Sequence, residues 1–228
     1  MTPPPGRPEE GSPPLGGTPR SGKDVIGNIR LVVIGGSAGG VAALGSILPE
    51  LPAAFRLPVV VVLHQPPARN SLLADLFGRK CRLPVLEAYD KAGIEPGHIY
   101  FSPPNYHLMI ERDFTFGLSV DGPVNFSRPS IDVLLESAAA SVDDGVLAII
   151  LTGTNADGAR GMKAVRAAGG IGWVQSPEGA HSPAMPRSAL ELGGADAVLE
   201  LDEIATALSR LAQAGNATTD NGTADQGR

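Results

Sequence analysis

The amino-acid sequence predicts a three-layer αβα fold, in which a doubly wound, mostly parallel β-sheet carries helices on both faces and includes an inserted β-hairpin. Two observations support this prediction. Short apolar runs rich in Val and Ile alternate with helix-length segments, as in parallel sheets that are buried on both faces. The 228 residues, 43% of them hydrophobic, suffice for one sizeable core and leave little room for a second folded module.

The predicted strands are short, mainly apolar runs that contain many β-branched residues, which favour extended structure. They cover residues 31–34, 59–63, 98–102, 146–151, 171–175 and 197–201. Two more runs, 108–112 and 114–119, flank Asp113 and predict the inserted hairpin.

The predicted helices have apolar residues three or four positions apart, so that these residues share one face. They cover residues 41–51, 70–77, 130–141, 159–168, 186–192 and 202–212. Gly78 and the pair Gly169-Gly170 are predicted to end two of them, and Asp202 is predicted to be the N-cap of the last.

The folded domain is expected to span residues 29–212. Residues 1–28 are rich in Pro and Gly and contain little that could be buried, which predicts a disordered leader. Residues 213–228 are polar and lack periodicity, so a disordered tail is expected.

Composition excludes several classes of function. With 18 basic and 24 acidic residues, the net charge of −6 argues against nucleic acid as the main partner. The single cysteine, Cys81, cannot form an intrachain disulfide or a thiolate metal cluster. Because the longest apolar run, 59–63, is far too short for a membrane span and no secretory signal is present, we expect a cytoplasmic protein without membrane insertion.

The segment Gly35-Gly-Ser37-Ala-Gly-Gly40 follows the first strand and matches G-x-S-x-G, a sharp strand-to-helix turn that exposes a serine hydroxyl. Ligands in parallel sheets bind beyond the carboxyl ends of the strands. Ser37 is therefore a candidate nucleophile. A glycine-rich loop of this kind also binds phosphates in related folds, and a plain tight turn is a third interpretation.

Two further candidates follow other strands at the same predicted edge. His64 comes directly after the second strand and is a candidate general base, and Asp157 follows the strand 146–151. Asp157 could cap the next helix, orient the histidine, or do both. His181 is a rival base, because Ser37, Asp157 and His181 follow the chain order of α/β-hydrolases. Residue spacing alone leaves this choice open.

Six segments in order resemble the catalytic domain of the chemotaxis protein-glutamate methylesterases, the CheB type. The resemblance runs from about Leu31 to Leu208, nearly the whole predicted domain. The segments are VIGGSAGG (33–40), LHQP (63–66), IYFSPPN (99–105) with His107, PSIDVLL (129–135), LTG (151–153) with DGARG (157–161), and AMP (184–186).

The resemblance implies that Ser37 is the nucleophile, His64 its base and Asp157 the orienting acid. It implies hydrolysis of glutamate γ-methyl esters on methyl-accepting chemotaxis receptors, with release of methanol, and deamidation of receptor glutamines. The partners would be the cytoplasmic helices of methylated chemoreceptors. This chemistry requires neither a metal ion nor an organic cofactor, and the backbone amides near Ala38 and Thr154 are candidate oxyanion donors.

Three departures from the family pattern stand out. Ala38 replaces the threonine that commonly follows the family's serine, and Thr152-Gly-Thr154-Asn155 replaces the usual Thr-Gly-Met-Gly. Both changes leave the three triad residue types intact. Family members typically also have an N-terminal receiver domain, for which residues 1–28 are too short. We therefore expect a stand-alone catalytic domain that is constitutively active or controlled by a separate regulator.

Two alternative functions remain open. A serine esterase of the same fold could act on a substrate other than a chemoreceptor. A phosphate- or nucleotide-binding module could use the loop Gly35–Gly40 and would not react with a fluorophosphonate. The two esterase hypotheses both predict labelling of Ser37, and turnover of methylated receptor fragments separates them.

Overall fold

The computed structural model of the chain describes residues 28–64 and 72–216. Within these ranges, side chains are described up to residue 212. The predicted leader up to residue 27, the tail from residue 217 and the first residues of the predicted helix 70–77 lie outside the described residues.

The described residues contain a seven-stranded parallel sheet with the strand order β3-β4-β2-β1-β7-β8-β9. Its strands are β1 (Leu31–Gly36), β2 (Val59–Leu63), β3 (Val85–Glu87), β4 (Ile99–Phe101), β7 (Val146–Ile150), β8 (Ile171–Gln175) and β9 (Ala197–Leu199). From β1 the chain first forms the three strands on one side, with β4 inserted between β2 and the edge strand β3, and then the three strands on the other side. The strand order thus switches direction beside β1, where open α/β sheets bind their ligands.

Helices cover both faces of the sheet. They are α1 (Gly40–Ile47), α2 (Leu73–Gly78), α3 (Ile131–Val142), α4 (Ala159–Ala167), α5 (Ala184–Leu192) and α6 (Leu201–Asn216), with 3₁₀ turns at Leu48–Glu50 and Asp143–Gly145. Residues of α1, α2 and α6 share one apolar core, and residues of α3, α4 and α5 share the core on the opposite face. The predicted three-layer doubly wound fold is confirmed.

The predicted hairpin is also confirmed, as the antiparallel pair β5 (His107–Ile110) and β6 (Phe116–Ser119). Leu108, Ile110 and Phe116 are buried in the same core as α3. The hairpin therefore packs on the sheet face that carries α3, and it leads the chain back to the start of that helix.

Two details of the sequence prediction are wrong. The sequence analysis missed β3, a three-residue edge strand whose side chains are largely exposed and so lack the continuous apolar pattern of the inner strands. Asp202 is not the N-cap of α6, because the Glu200 carbonyl already accepts the first helical hydrogen bond from Ile204 N, at 2.9 Å. Asp202 lies in the first turn, and the Glu203 carboxylate accepts from Glu200 N–H at 2.8 Å.

No helix within residues 28–64 and 72–216 is long and apolar enough to cross a membrane.

Candidate active site

Ser37 lies in a glycine turn at the carboxyl end of the central strand. Its backbone N–H donates to Thr152 O at 2.9 Å, and its carbonyl accepts from Gly40 N at 2.8 Å, where α1 begins. Gly39 has φ 82°, which favours glycine, and a side chain at Gly40 would collide with Leu63. The glycines thus let the chain turn sharply and leave Ser37 half-buried beside the amino end of α1.

The structure brings His64 and Asp157 together. His64 Nε2 lies 2.8 Å from Asp157 Oδ2, and the exposed fractions of the two side chains are 12% and 0%. His64 stands at the end of β2, where its N–H donates to Gly36 O, and Asp157 lies between β7 and α4. Two strand ends therefore form a base–carboxylate pair of the kind that orients a catalytic histidine.

Ser37 and His64 lie on neighbouring strands, but within the described residues no hydrogen bond joins Ser37 Oγ to the imidazole. The ring nitrogen that does not face Asp157, His64 Nδ1, lies 3.4 Å from Ser127 Oγ. Catalytic hydrogen bonds are often long or absent before substrate binds. Proton transfer from Ser37 to His64 therefore requires a side-chain rearrangement from this geometry.

Five donors among the described residues surround the Asp157 carboxylate. They are His64 Nε2, Asn125 Nδ2 (3.0 Å), Ser130 Oγ (2.8 Å), Ile131 N (2.7 Å) and Asp132 N (3.1 Å). Burial disfavours the charged form, but the hydrogen bonds from His64, Ile131, Asn125 and Ser130 outweigh it and lower the pKa of Asp157 below its ordinary value. Asp157 is therefore ionised at neutral pH, as an orienting acid must be.

The helix that Asp157 caps is not the one that follows it. The N-cap of α4 is Gly158, and the Asp157 carboxylate instead accepts from the first amides of α3. Asp132, in the first turn of α3, accepts from Gly158 N (2.9 Å) and Gly161 N (2.8 Å) at the start of α4. Each aspartate thus satisfies free amides of the other's helix, where a negative charge is favoured.

The two candidate oxyanion donors are the backbone amides of Ala38 and Thr154. The neighbouring amide of Gly153, in the same turn as Thr154, donates to Ser182 O at 3.0 Å and is therefore not available. The amides of Ala38 and Thr154 donate to no acceptor within the part of the chain that the structure describes. Thr152 Oγ1 donates to Ala38 O (2.9 Å) and accepts from Ser182 N (2.8 Å), so it connects the two turns.

The rival base His181, the two other histidines and the single cysteine do not join the His64–Asp157 pair. His181 is exposed and lies against Gly39: a methyl group added at Gly39 would come within 2.6 Å of the Cβ of His181. His107 is buried between Gly122 O (3.1 Å) and Ser130 N (3.2 Å). His98 Nδ1 lies 3.0 Å from Pro96 O, and burial raises the pKa of the Cys81 thiol, which disfavours its reactive form.

Sequence reasoning missed three residues that donate to the acid, Asn125, Ser130 and Asp132. It also missed Ser127, which lies near the base, and Thr152, which connects the two turns. Ser130 and Asp132 belong to the segment PSIDVLL quoted above, but no spacing rule connects them with Asp157. A cavity of about 230 Å³ opens beside the base, and the described residues that line it are His64, Asn105, Pro123, Phe126, Ser127, Arg128 and Pro129. Ser127 and Phe126 therefore border the space in which a substrate could approach His64.

Comparison with known proteins places this geometry in context. A family model described as CheB methylesterase matches residues 32–208. A relative from Leptospira interrogans (strain Fiocruz L1-130), whose provisional description names protein-glutamate methylesterase and protein-glutamine glutaminase, is 45% identical over 186 residues, or 82% of this chain and 96% of the relative. Protein-glutamate methylesterase/protein-glutamine glutaminase 2 of Pseudomonas aeruginosa is 38% identical over 85% of this chain, and the match spans 56% of that protein.

A solved structure is similar as well. The crystal structure of the Thermotoga maritima CheB methylesterase catalytic domain matches with a TM-score of 0.77 and 35% sequence identity. The match covers 80% of this chain and 98% of that one. The chain thus corresponds to nearly all of that catalytic domain and to about half the length of the Pseudomonas relative.

Proposed function

The chain belongs to the CheB methylesterase family, and from this premise we propose that it is a serine hydrolase that removes methyl groups from glutamate γ-methyl esters of chemoreceptors. The observation that carries the proposal is the distance of 2.8 Å between His64 Nε2 and Asp157 Oδ2. His64 lies at the end of β2, and its backbone N–H donates to Gly36 O, next to Ser37. We propose Ser37 as nucleophile, His64 as general base and Asp157 as the acid that orients it.

The reaction would begin with attack of Ser37 Oγ on the ester carbonyl, while His64 takes the hydroxyl proton. The amides of Ala38 and Thr154 would stabilise the oxyanion, each contributing about 3 kcal/mol to the transition state if both are aligned. His64 returns its proton to the leaving methoxide, so methanol departs and a γ-glutamyl ester of Ser37 remains. Water, deprotonated by His64, then releases the glutamate carboxylate and restores Ser37.

Deamidation of receptor glutamines would follow the same path. The amide presents the same kind of carbonyl to Ser37, and His64 gives its proton to the amide nitrogen, which leaves as ammonia in place of methanol. The protonated imidazole is stabilised in both reactions by Asp157, whose pKa is lowered by its hydrogen bonds against the opposing effect of burial. Control by a regulator on a separate chain stays a prediction.

The direct test is methanol release from a chemoreceptor cytoplasmic fragment that carries radiolabelled methyl groups on its glutamates. We expect the label to be released as methanol in proportion to enzyme, and a fluorophosphonate to label Ser37 and block the release. Labelling of Ser37 without methanol release would favour the esterase with another substrate. Absence of labelling, with binding of phosphate, would favour the phosphate-binding module.

An exposed aromatic side chain beside the base supports a protein as the substrate. Phe126 is fully exposed, its φ of 61° is unfavourable for a bulky residue, and it lines the cavity that contains His64. The backbone conformation costs stability in the free protein, and aromatic side chains are enriched at protein interfaces. We propose that Phe126 contacts the receptor segment that carries the methyl ester.

Phe126→Ala is expected to lower kcat/KM for the methylated receptor fragment about tenfold, the size of a moderate contact residue. Hydrolysis of p-nitrophenyl acetate should be unchanged, because this small ester does not extend to Phe126. Val198→Ala is the matched control, since Val198 is an exposed apolar residue on the edge strand β9. Equal losses on both substrates, or no loss on the receptor fragment, would contradict this role.

A further inference from the structure

We propose that Asn125 is a positioning residue for the catalytic acid, a role that rests on the proposed triad. Its side-chain Nδ2 donates to Asp157 Oδ1 at 3.0 Å and to Asp132 Oδ2 at 2.8 Å. A primary amide carries two N–H groups, so one Asn125 side chain makes both bonds at once. Asn125 thereby connects the acid that faces His64 with the acid that caps α4.

Both carboxylates are buried, with exposed fractions of 0%. Two carboxylates in one buried site repel each other, so a donor that bonds to both reduces that repulsion. Other groups also face the two aspartates: His64 faces Asp157, and Arg160 lies 3.1 Å from Asp132 Oδ2 and 3.9 Å from Glu136. Among the described residues, only Asn125 bonds to both aspartates through a single side chain.

The backbone around Asn125 holds the amide in place. Residues 124–127 form a tight turn in which Val124 N donates to Ser127 O (3.1 Å) and Ser127 N donates to Val124 O (2.9 Å). Asn125 has φ 50°, a left-handed conformation that asparagine tolerates better than most residues. The same turn carries Ser127, whose Oγ is 3.4 Å from His64 Nδ1. The turn therefore contacts the acid through Asn125 and the base through Ser127.

Removal of the amide would leave Asp157 Oδ1 with fewer donors and two buried carboxylates without their shared partner. The carboxylate would then hold the imidazole less firmly during proton transfer. Asn125 acts through Asp157 and does not bond to the substrate, so its loss should affect the chemical step and not the binding of a small ester.

The test is Asn125→Gly, because glycine accepts the positive φ and removes only the side chain. With p-nitrophenyl acetate we expect kcat to fall about 10- to 100-fold while KM changes less than about twofold. Asn28→Gly is the matched control, because Asn28 Nδ2 also donates to a carboxylate, Asp144 Oδ1, at 2.8 Å. Asn28 precedes β1 and so lies at the amino ends of the strands, whereas the candidate site lies at their carboxyl ends. This control should retain wild-type kcat and KM.

Unchanged kcat in Asn125→Gly, or a rise in KM alone, would overturn the proposal. If Asn125→Gly does not fold, Asn125→Asp is measured instead. In either protonation state an aspartate there cannot donate to both carboxylates, so kcat should fall, and wild-type kcat in Asn125→Asp would equally overturn the proposal. Failure of the proposed function appears differently, as absence of fluorophosphonate labelling of Ser37 in the wild-type protein.

Discussion

Replacement of Ser37 by alanine is expected to lower methanol release from methylated chemoreceptor fragments by about 10³-fold or more, because the attacking oxygen is lost. The residual rate would come from substrate binding and the oxyanion donors. Ser37 is half-buried and its hydroxyl makes no hydrogen bond within the described residues, so the free energy of unfolding should change by less than about 0.5 kcal/mol. Initial rates of radiolabelled methanol release and urea unfolding measure both effects.

Ser127→Ala is the matched control for this substitution. Ser127 Oγ is the one serine hydroxyl within hydrogen-bond distance of His64 Nδ1 among the described residues, at 3.4 Å, and is therefore the geometric rival for the role of nucleophile. We expect Ser127→Ala to keep kcat within about tenfold of wild type. A Ser127→Ala protein without activity beside an active Ser37→Ala protein would show that the nucleophile was assigned to the wrong residue.

Asp157→Asn is expected to lower kcat by about 10⁴-fold, the cost of an amide in place of the carboxylate that orients a catalytic histidine. The same substitution should destabilise the fold by about 1–3 kcal/mol, because an amide nitrogen would face donors that now bond to a carboxylate. Ser130 Oγ and the amides of Ile131 and Asp132 are among these donors. Turnover of the methylated fragment and urea unfolding at neutral pH measure the two losses.

The stability difference should depend on pH in a defined direction. Burial opposes ionisation of Asp157, but hydrogen bonds hold its pKa in the folded protein below the ordinary value. In the unfolded chain an aspartate has a pKa of about 3.9. The contribution of the carboxylate is therefore complete above the unfolded pKa and is lost as the pH falls through the folded pKa. The free-energy difference between wild type and Asp157→Asn should be largest at neutral pH and shrink below about pH 4.

A difference that stays constant from neutral to acid pH would contradict this assignment. Asp113→Asn provides the comparison, because the pKa of Asp113 is also lowered, mainly by the Thr115 hydroxyl, but its carboxylate is exposed on the hairpin. We expect this control to retain wild-type activity. The contrast separates a buried carboxylate at the active site from an exposed one with a similar local hydrogen bond.

Because Asp157 both faces His64 and caps α3, its proposed catalytic role and its structural contribution share one carboxylate. Asp132 makes the complementary contacts at the start of α4. The two helices are thus tied together at the amino ends that border the active site. Substitutions here should change activity and stability together, unlike those at Ser37.

Much of the fold could be predicted from local patterns. The continuous apolar runs at 59–63 and 146–151 indicated buried parallel strands, and the glycine turn around Ser37 indicated a strand-to-helix elbow. The edge strand β3 could not be predicted, because Val85–Glu87 is short and only its pairing with β4 keeps it extended. The predicted N-cap of α6 was wrong by two residues, because aspartate is a preferred N-cap residue whereas Glu200, whose carbonyl accepts the first helical hydrogen bond, is not.

The candidate site divides in the same way. Ser37, His64 and Asp157 could be identified because each follows a strand, and the carboxyl ends of parallel strands meet at one edge. The resemblance chose His64 over His181, and the contact of His64 with Asp157 agrees with that choice. The role of Asn125 was invisible, because it bonds to Asp157 across 32 residues of sequence.

The sequence by itself determined the layer architecture and the residues that follow each strand, because apolar periodicity and strand-end motifs are local properties of the chain, and the family resemblance selected Ser37, His64 and Asp157 as the candidate triad. Only the tertiary structure decided what surrounds Asp157: among the described residues, five donors from three segments, a helix start that is not its own, and an amide shared with Asp132. The physical reason is that a buried carboxylate is satisfied by whichever donors the packing of distant segments brings within about 3 Å. Packing also left Ser37 without its hydrogen bond to His64 in the described geometry, which no local pattern could have indicated.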